Sequence, residues 1–404
     1  MRPVEGCAFF GAYRACIGIS NAVILLHSVV GCNFGTLFFH LAQRPEDVRQ
    51  ASTVFYGEEA LYGGTDSLVK ALRNADALYQ KAKVFIVLSG CVPNMVGDDV
   101  VAAIAAAEIS RPVIHVTVPG TAGDMASGYE SALLALARYM EPLKAVRQVN
   151  LLGLSADDFL VRGDMDVLRE ILAPQVRLET VAVDEPFEAF CRAGSAALNV
   201  AFGAGRALAE EMRSRFGIPY ILARYPYGIH GMAAFLEKIA AALPNVSFQE
   251  AIQNMDAGVD AALGPMSFYL RLLYGMPTAI LGDAARSEGL RVFLEEELGM
   301  DVALCHAGGQ EDVADLYREM EERAVPLLFG SSFERGWCEE HQAALVRVFY
   351  PVFDEVVFSS RSFLGLNGFF TLTETIVNSL QRQTLQRKRL YEGIFFPVPE
   401  GDGA

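Results

Sequence analysis

At 404 residues, with 52% hydrophobic and 20% charged side chains, the chain is long enough for two or three domains with large, filled cores and too apolar to be disordered. A formal net charge of −16 argues against sequence-independent binding to nucleic acid or to an anionic membrane surface. Seven cysteines, neither dense nor even in number, exclude a secreted disulfide framework and point to a reducing cytoplasm.

The opening MRPVEG lacks the basic-then-apolar pattern of a signal peptide, and no later run reaches the roughly 18 uninterrupted apolar residues of a membrane span. Three cysteines follow, each beside a glycine: Cys7 in GCAFFGA, Cys32 closing HSVVGC, and Cys91 in GCVPNMVGDD. Residues 17–30, IGISNAVILLHSVV, read as an apolar helix closed by Gly31, with Cys16 on the same helix as a core residue. Residues 83–90, KVFIVLSG, are β-branched and apolar and read as a buried parallel strand that stops at Gly90. Beyond it, Asp98 or Asp99 is expected to cap the alanine-rich helix VVAAIAAAEI. Cys91 therefore falls at the carboxyl end of a strand, where open α/β sheets hold ligands and where nearby helix N–H groups favour a thiolate. Spacings of 25 and 59 residues rule out a local zinc knuckle and require a folded domain to unite the three thiols. Buried free cysteines also behave as small hydrophobes, so spacing alone leaves that reading open.

The alternation then continues. RPVIHVTVPG is a strand and SALLALARYM a helix; near residue 147 a second cycle opens with QVNLLGL, DMDVLREILA, VRLETVAV, SAALNVAF, ALAEEMRSRF and MAAFLEKIAAAL. A third cycle runs from PTAILGD through SEGLRVFLEEEL, GMDVALCHAGG, VADLYREMEE and PLLFGSS to DEVVFSS, read as a last strand. Strands alternating with helices predict parallel sheets flanked by helices, an α/β fold. GDAARSEGL follows a strand but lacks the glycine triplet of a dinucleotide fingerprint. Adjacent Cys305 and His306 point to opposite sides of a strand, Cys338 beside Trp337 has no activating base, and Cys191 reads as a structural thiol.

The ordered set GCAFFGA, HSVVGC, EEALYGG and GCVPNMVGDD resembles the N-terminal domain of nitrogenase component 1 proteins, particularly the β subunit. FGIPYILARYPYGIHGMAAFLEKIA, LLFGSSFERG, VFYPVFD and FLGLNGFFTLTETIVNSL extend the resemblance over nearly the whole chain. It implies three Rossmann-like domains, here residues 1–147, 148–275 and 276–404. It also implies that Cys7, Cys32 and Cys91 ligate a P-cluster type iron–sulfur centre, 8Fe–7S or alternatively 4Fe–4S, shared with a homologous subunit. The implied partners are an α-like subunit, in a heterodimer that pairs into α2β2, and an ATP-hydrolysing iron protein that delivers electrons. His27, inside the second motif, becomes a candidate for a hydrogen bond toward the cluster, with a satisfied buried histidine equally open, and the helix start at Asp98 a source of positive potential for it.

The departures refine this expectation. A serine that can coordinate iron in the family aligns with Gly120, leaving Thr121 or Ser127 as the nearest oxygens, and the stretch before Cys7 and several loops look trimmed. The cysteine and histidine that hold the catalytic cofactor in α subunits align with Ala201 and Leu364, neither of which can ligate a metal. The expected function is thus a β-like electron-relaying subunit of a nitrogenase-like reductase, with carbon–sulfur cleavage of methylthio-alkanes as the leading reaction. A cofactor-assembly scaffold, a tetrapyrrole reductase subunit and a metal-free binding module are the alternatives.

Overall fold

The computed structural model describes residues 6–44, 48–308 and 313–388. Twelve strands form three four-stranded parallel sheets among the described residues. The first sheet holds β1 (Ala22–His27), β2 (Gln50–Ser52), β3 (Val84–Ser89) and β4 (Val113–Thr117) in the order β2-β1-β3-β4. The second holds β5 (Gln148–Leu152), β6 (Arg177–Thr180), β7 (Leu198–Ala201) and β8 (Tyr220–Leu222); the third β9 (Pro277–Leu281), β10 (Asp301–His306), β11 (Leu327–Gly330) and β12 (Ala344–Arg347). Both repeat that order, β6-β5-β7-β8 and β10-β9-β11-β12. β1 and β3 are apolar and fully buried along their length, as strands covered by helices on both faces must be. In each sheet the chain moves outward to one side after the first strand and returns on the other, which opens a crevice at the carboxyl ends of the two central strands.

The helices of the first sheet are α1 (Ala8–Ile17), α2 (Val30–Gln43), α3 (Gly57–Tyr62), α4 (Thr65–Leu78), α5 (Cys91–Val96), α6 (Val100–Ala107) and α7 (Met125–Ala137). The single apolar helix expected over residues 17–30 is not formed. α1 ends at Ile17, and residues 22–27 enter the sheet, with Ile24 paired to both Gln50 and Ile86. Residues 22–26, apolar at every position, carry no 3.6-residue period, and they form a strand because β2 pairs with them on one side and β3 on the other. Cys16 is buried in the core as expected. DEVVFSS is not a strand either: Val356 and Phe358 are exposed, and the fourth strand of the third sheet is β12.

α1 and α7 cross with their backbones almost touching. A Cβ on Gly11 would meet Met125 O at 1.8 Å, and one on Gly128 would meet Ala8 O at 1.8 Å. Gly128→Ala must therefore push the helices apart. The expected cost is about 3 kcal/mol in chemical denaturation, with Cys7 displaced because it begins α1.

A buried ionic group ties the three sheets together. Arg14 of α1 donates from Nε to Asp157 Oδ1 at 2.9 Å and from Nη2 to Asp158 Oδ1 at 2.7 Å, both in the loop after β5. Asp158 Oδ2 is 2.7 Å from Arg286 Nη2 after β9, and the Arg14 guanidinium lies 3.8 Å over the Tyr350 ring after β12. Tyr225 stacks beneath Arg286 and donates to Asp164 Oδ2 at 2.5 Å, while Ser362 donates to the other oxygen at 2.6 Å. No helix among the described residues is long and apolar enough to cross a membrane.

Candidate metal centre

Each of Cys7, Cys32 and Cys91 stands at a helix N-terminus. Cys7 is the N-cap of α1, Cys32 lies in the first turn of α2, and Cys91 is the first residue of α5, directly after β3. α2 and α5 follow β1 and β3, the two strands that flank the crevice, while an isolated bridge to Asp124 brings Cys7 up beside them. All three thiols are partly buried. Burial pushes the Cys32 thiol up; the neighbouring Ser28 hydroxyl opposes this, and the nearby Cys7 and Cys91 add to it. Ser28 Oγ is wholly buried, without a hydrogen-bond partner of good geometry, and so is free to donate to a thiolate at Cys32. Three helix N-termini converging on one spot favour anions there, and three soft sulfur donors suit an iron–sulfur group. Among the described residues no three His, Cys, Asp or Glu side chains are grouped as ligands of one metal ion. A polynuclear cluster would ask for less, since its ligand sulfurs need not meet at one metal ion.

Gly120 closes the spot. Its N–H donates to Cys91 Sγ at 3.0 Å, and a Cβ built on it would stand 2.8 Å from Cys7 Sγ and 3.4 Å from Cys91 Sγ. No oxygen-bearing side chain fits at this position with Cys7 where it stands. Ser127, one of the two oxygens considered near, is engaged in capping α7, its hydroxyl donating to Asp124 O at 2.8 Å; Thr121 is exposed.

His27 and Asp98 pair with each other and with their own surroundings rather than with the three thiols. His27 is fully buried, with Nε2 3.0 Å from Asp98 Oδ2 and Nδ1 3.2 Å from Thr53 Oγ1, so both ring nitrogens are spent on protein partners. Asp98 also accepts from Gly64 N–H at 2.9 Å, and a Cβ on Gly63 would collide with its Oδ1 at 2.4 Å. EEALYGG and GCVPNMVGDD are therefore two halves of one latch, and Asp99 alone caps α6, accepting from Ala102 N–H at 2.9 Å. Burial holds the His27 pKa down, and Asp98 offsets it in part. The unfolded chain thus binds a proton more readily than the folded one. Stability should fall as pH drops below about 6.5, and His27→Gln should flatten that part of a pH–denaturation curve.

The other residues singled out in the sequence lie apart from this spot. Cys338 is buried against Trp337, its thiol pushed up to about 12 by burial and Glu334; burial and Glu141 push Cys191 up to about 11. Cys305 is half-buried on β10 and His306 is buried at its end. Ala201 ends β7 and Leu364 bridges Tyr227, both in packed core. Ser28 and the Gly120 N–H were not foreseen, and only the short step from Ser28 to Cys32 within HSVVGC hinted at the first.

Comparison with known proteins agrees with this geometry. A family model described as "Nitrogenase component 1 type Oxidoreductase" matches residues 7–381. A nitrogenase molybdenum-iron protein beta chain of Methanococcus maripaludis is 23% identical over 94% of both chains. The nitrogenase iron-molybdenum cofactor biosynthesis protein NifE of Nostoc sp. is 29% identical over 81% of this chain and 71% of its own. In three dimensions the chain superposes on nitrogenase Cp1 with a TM-score of 0.80 at 19% identity, covering 96% of this chain and 94% of the other. With its three cysteine motifs in order and its three parallel sheets, this chain belongs to the nitrogenase component 1 type oxidoreductases, as a β-like subunit.

Proposed function

We propose that this chain is the β-like subunit of a two-component, ATP-dependent reductase, with Cys7, Cys32 and Cys91 as its thiolate ligands to an interfacial iron–sulfur cluster of the P-cluster type, 8Fe–7S or 4Fe–4S. The supporting observation is the meeting of three partly buried cysteines at three helix N-termini beside an exposed apolar stripe. That stripe is Val30, Phe34, Phe38 and Leu41 along α2, with Phe34 and Phe38 stacked at 6.2 Å, and Tyr62 and Met95 are exposed on α3 and α5. An apolar face of this kind next to half-open thiols is what an α-like partner would cover. When bound, an iron–sulfur cluster supplies one-electron storage between an ATP-hydrolysing iron protein and a catalytic cofactor in that partner. This chain's part is to hold the thiols apart, donate to them from backbone N–H groups, favour negative charge through three helix ends and exclude water.

For the assembled pair we infer reductive cleavage of a carbon–sulfur bond in methylthio-alkanes, releasing a thiol and a hydrocarbon with electrons from the iron protein. Gly120 in place of an oxygen ligand is the feature that favours a nitrogenase-like relative. The likeness to a cofactor biosynthesis protein supports a second reading, a scaffold that passes its metal group on.

Anaerobic purification with the α-like partner separates them. A reductase retains its iron through turnover and consumes a methylthio-alkane when supplied with ATP and the iron protein. A scaffold loses metal to an apoprotein acceptor and consumes nothing. A complex that purifies without iron would contradict both.

A further inference from the structure

We propose that Gly120 is a potential-setting residue of the metal centre, through its backbone N–H to Cys91 Sγ, at a position where a side chain would crowd Cys7. This rests on the reading above, in which those thiols are cluster ligands.

The hydrogen bond is built by the sheet. β4 runs parallel to β3 with Thr117 paired to Ser89, and Val118 N–H donates to Ser89 O at 3.0 Å, so the chain leaving β4 lies alongside the chain entering α5. Pro119, at φ −59 and ψ 134, turns it, and Ala122 N–H closes onto Pro119 O at 2.9 Å. The result aims Gly120 N–H at Cys91 Sγ, 3.0 Å away. Gly120 is not among the glycines with positive φ. A side chain is crowded here: a Cβ would lie 2.8 Å from Cys7 Sγ and 3.1 Å from Cys7 Cβ, so a larger residue requires Cys7 to shift.

A donor to a ligand sulfur draws charge from the thiolate and stabilises the more negative, reduced state of whatever iron it holds. The potential is therefore higher with this hydrogen bond than without it. One backbone N–H, supplied by a strand the cysteines do not belong to, thus couples the geometry of the first sheet to the energy of the electron.

The test compares Gly120→Ala with Gly120→Pro in the complex with the partner subunit, purified anaerobically and titrated redox-wise by electron paramagnetic resonance. Both variants carry a Cβ against Cys7, and only proline lacks the N–H. The ψ of Pro119 suits a residue that precedes proline. At matched iron content, the Gly120→Pro midpoint should be more negative than that of Gly120→Ala; equal midpoints overturn the inference. If Gly120→Pro does not retain iron, the wild-type complex labelled with 15N-glycine serves instead. Pulsed resonance should then show one glycine nitrogen coupled to the cluster spin that Gly120→Ala lacks, and identical couplings in both overturn the inference. Wild-type complex without iron would overturn the site reading and this inference together, whereas equal midpoints in iron-loaded variants overturn this inference alone.

Discussion

Asp158→Ala is expected to cost about 3–5 kcal/mol of folding stability, read as a lowered midpoint in urea denaturation. Asp158 is the shared partner of Arg14 and Arg286, and all three side chains are nearly inaccessible to water. Removing it leaves two guanidinium groups with one carboxylate fewer between them, and Asp157, held by Arg14 and the Ser155 hydroxyl, does not pair with Arg286. The penalty is larger than that for a surface pair because neither cation can recover its hydration without parting the three sheets. Burial alone would push the Asp158 carboxyl up, but Arg286 and then Arg14 outweigh it and hold it below the usual carboxylate range. A depressed acid stabilises the fold above its unfolded pKa and loses that contribution as pH falls through its folded one. The wild-type chain should therefore lose this share of stability only below about pH 4, and Asp158→Asn should show less of that acid-side slope.

Much of the first sheet was legible because its strongest signals are local. KVFIVLSG is a strand by its β-branched run and its stop at glycine, and GCVPNMVGDD announces the helix starts that place Cys91. Residues 17–30 misled because an apolar run without period is equally a buried helix or a buried strand. What decides it, pairing with Gln50–Ser52 and Val84–Ser89, joins residues far apart in the chain. The two aspartates after Gly97 show the same limit. Local rules say that one of them caps α6, but only the fold reveals that Asp98 is claimed by His27 and Gly64. β12 is passed over in favour of DEVVFSS, whose Val356 and Phe358 face outward beside an Asp354 held by Arg347. Gly120 stood out only as a departure from a resemblance; its N–H to Cys91 is a product of strand pairing and leaves no trace in residue identity.

The second large effect concerns the thiols themselves. In the proposed function, Cys7→Ala, Cys32→Ala and Cys91→Ala would each remove one anchor of a group that three separate segments hold at once. The surviving pair keeps neither the charge balance nor the exclusion of water that a cluster needs. Each variant should lose most of its iron while keeping its fold, because the three cysteines are only partly buried and carry little of the core. Cys338→Ala, in a separate core cluster, should keep its iron, as should Cys191→Ala on the helix Phe187–Arg192.

Iron quantitation with electron paramagnetic resonance on the anaerobically purified complex of this chain and its α-like partner, wild type beside Cys91→Ala, decides the matter. Stoichiometric iron and a cluster signal in the wild type, both lost with the single thiol while the two subunits still copurify, is the predicted result. Full iron and an unchanged signal in Cys91→Ala would contradict it.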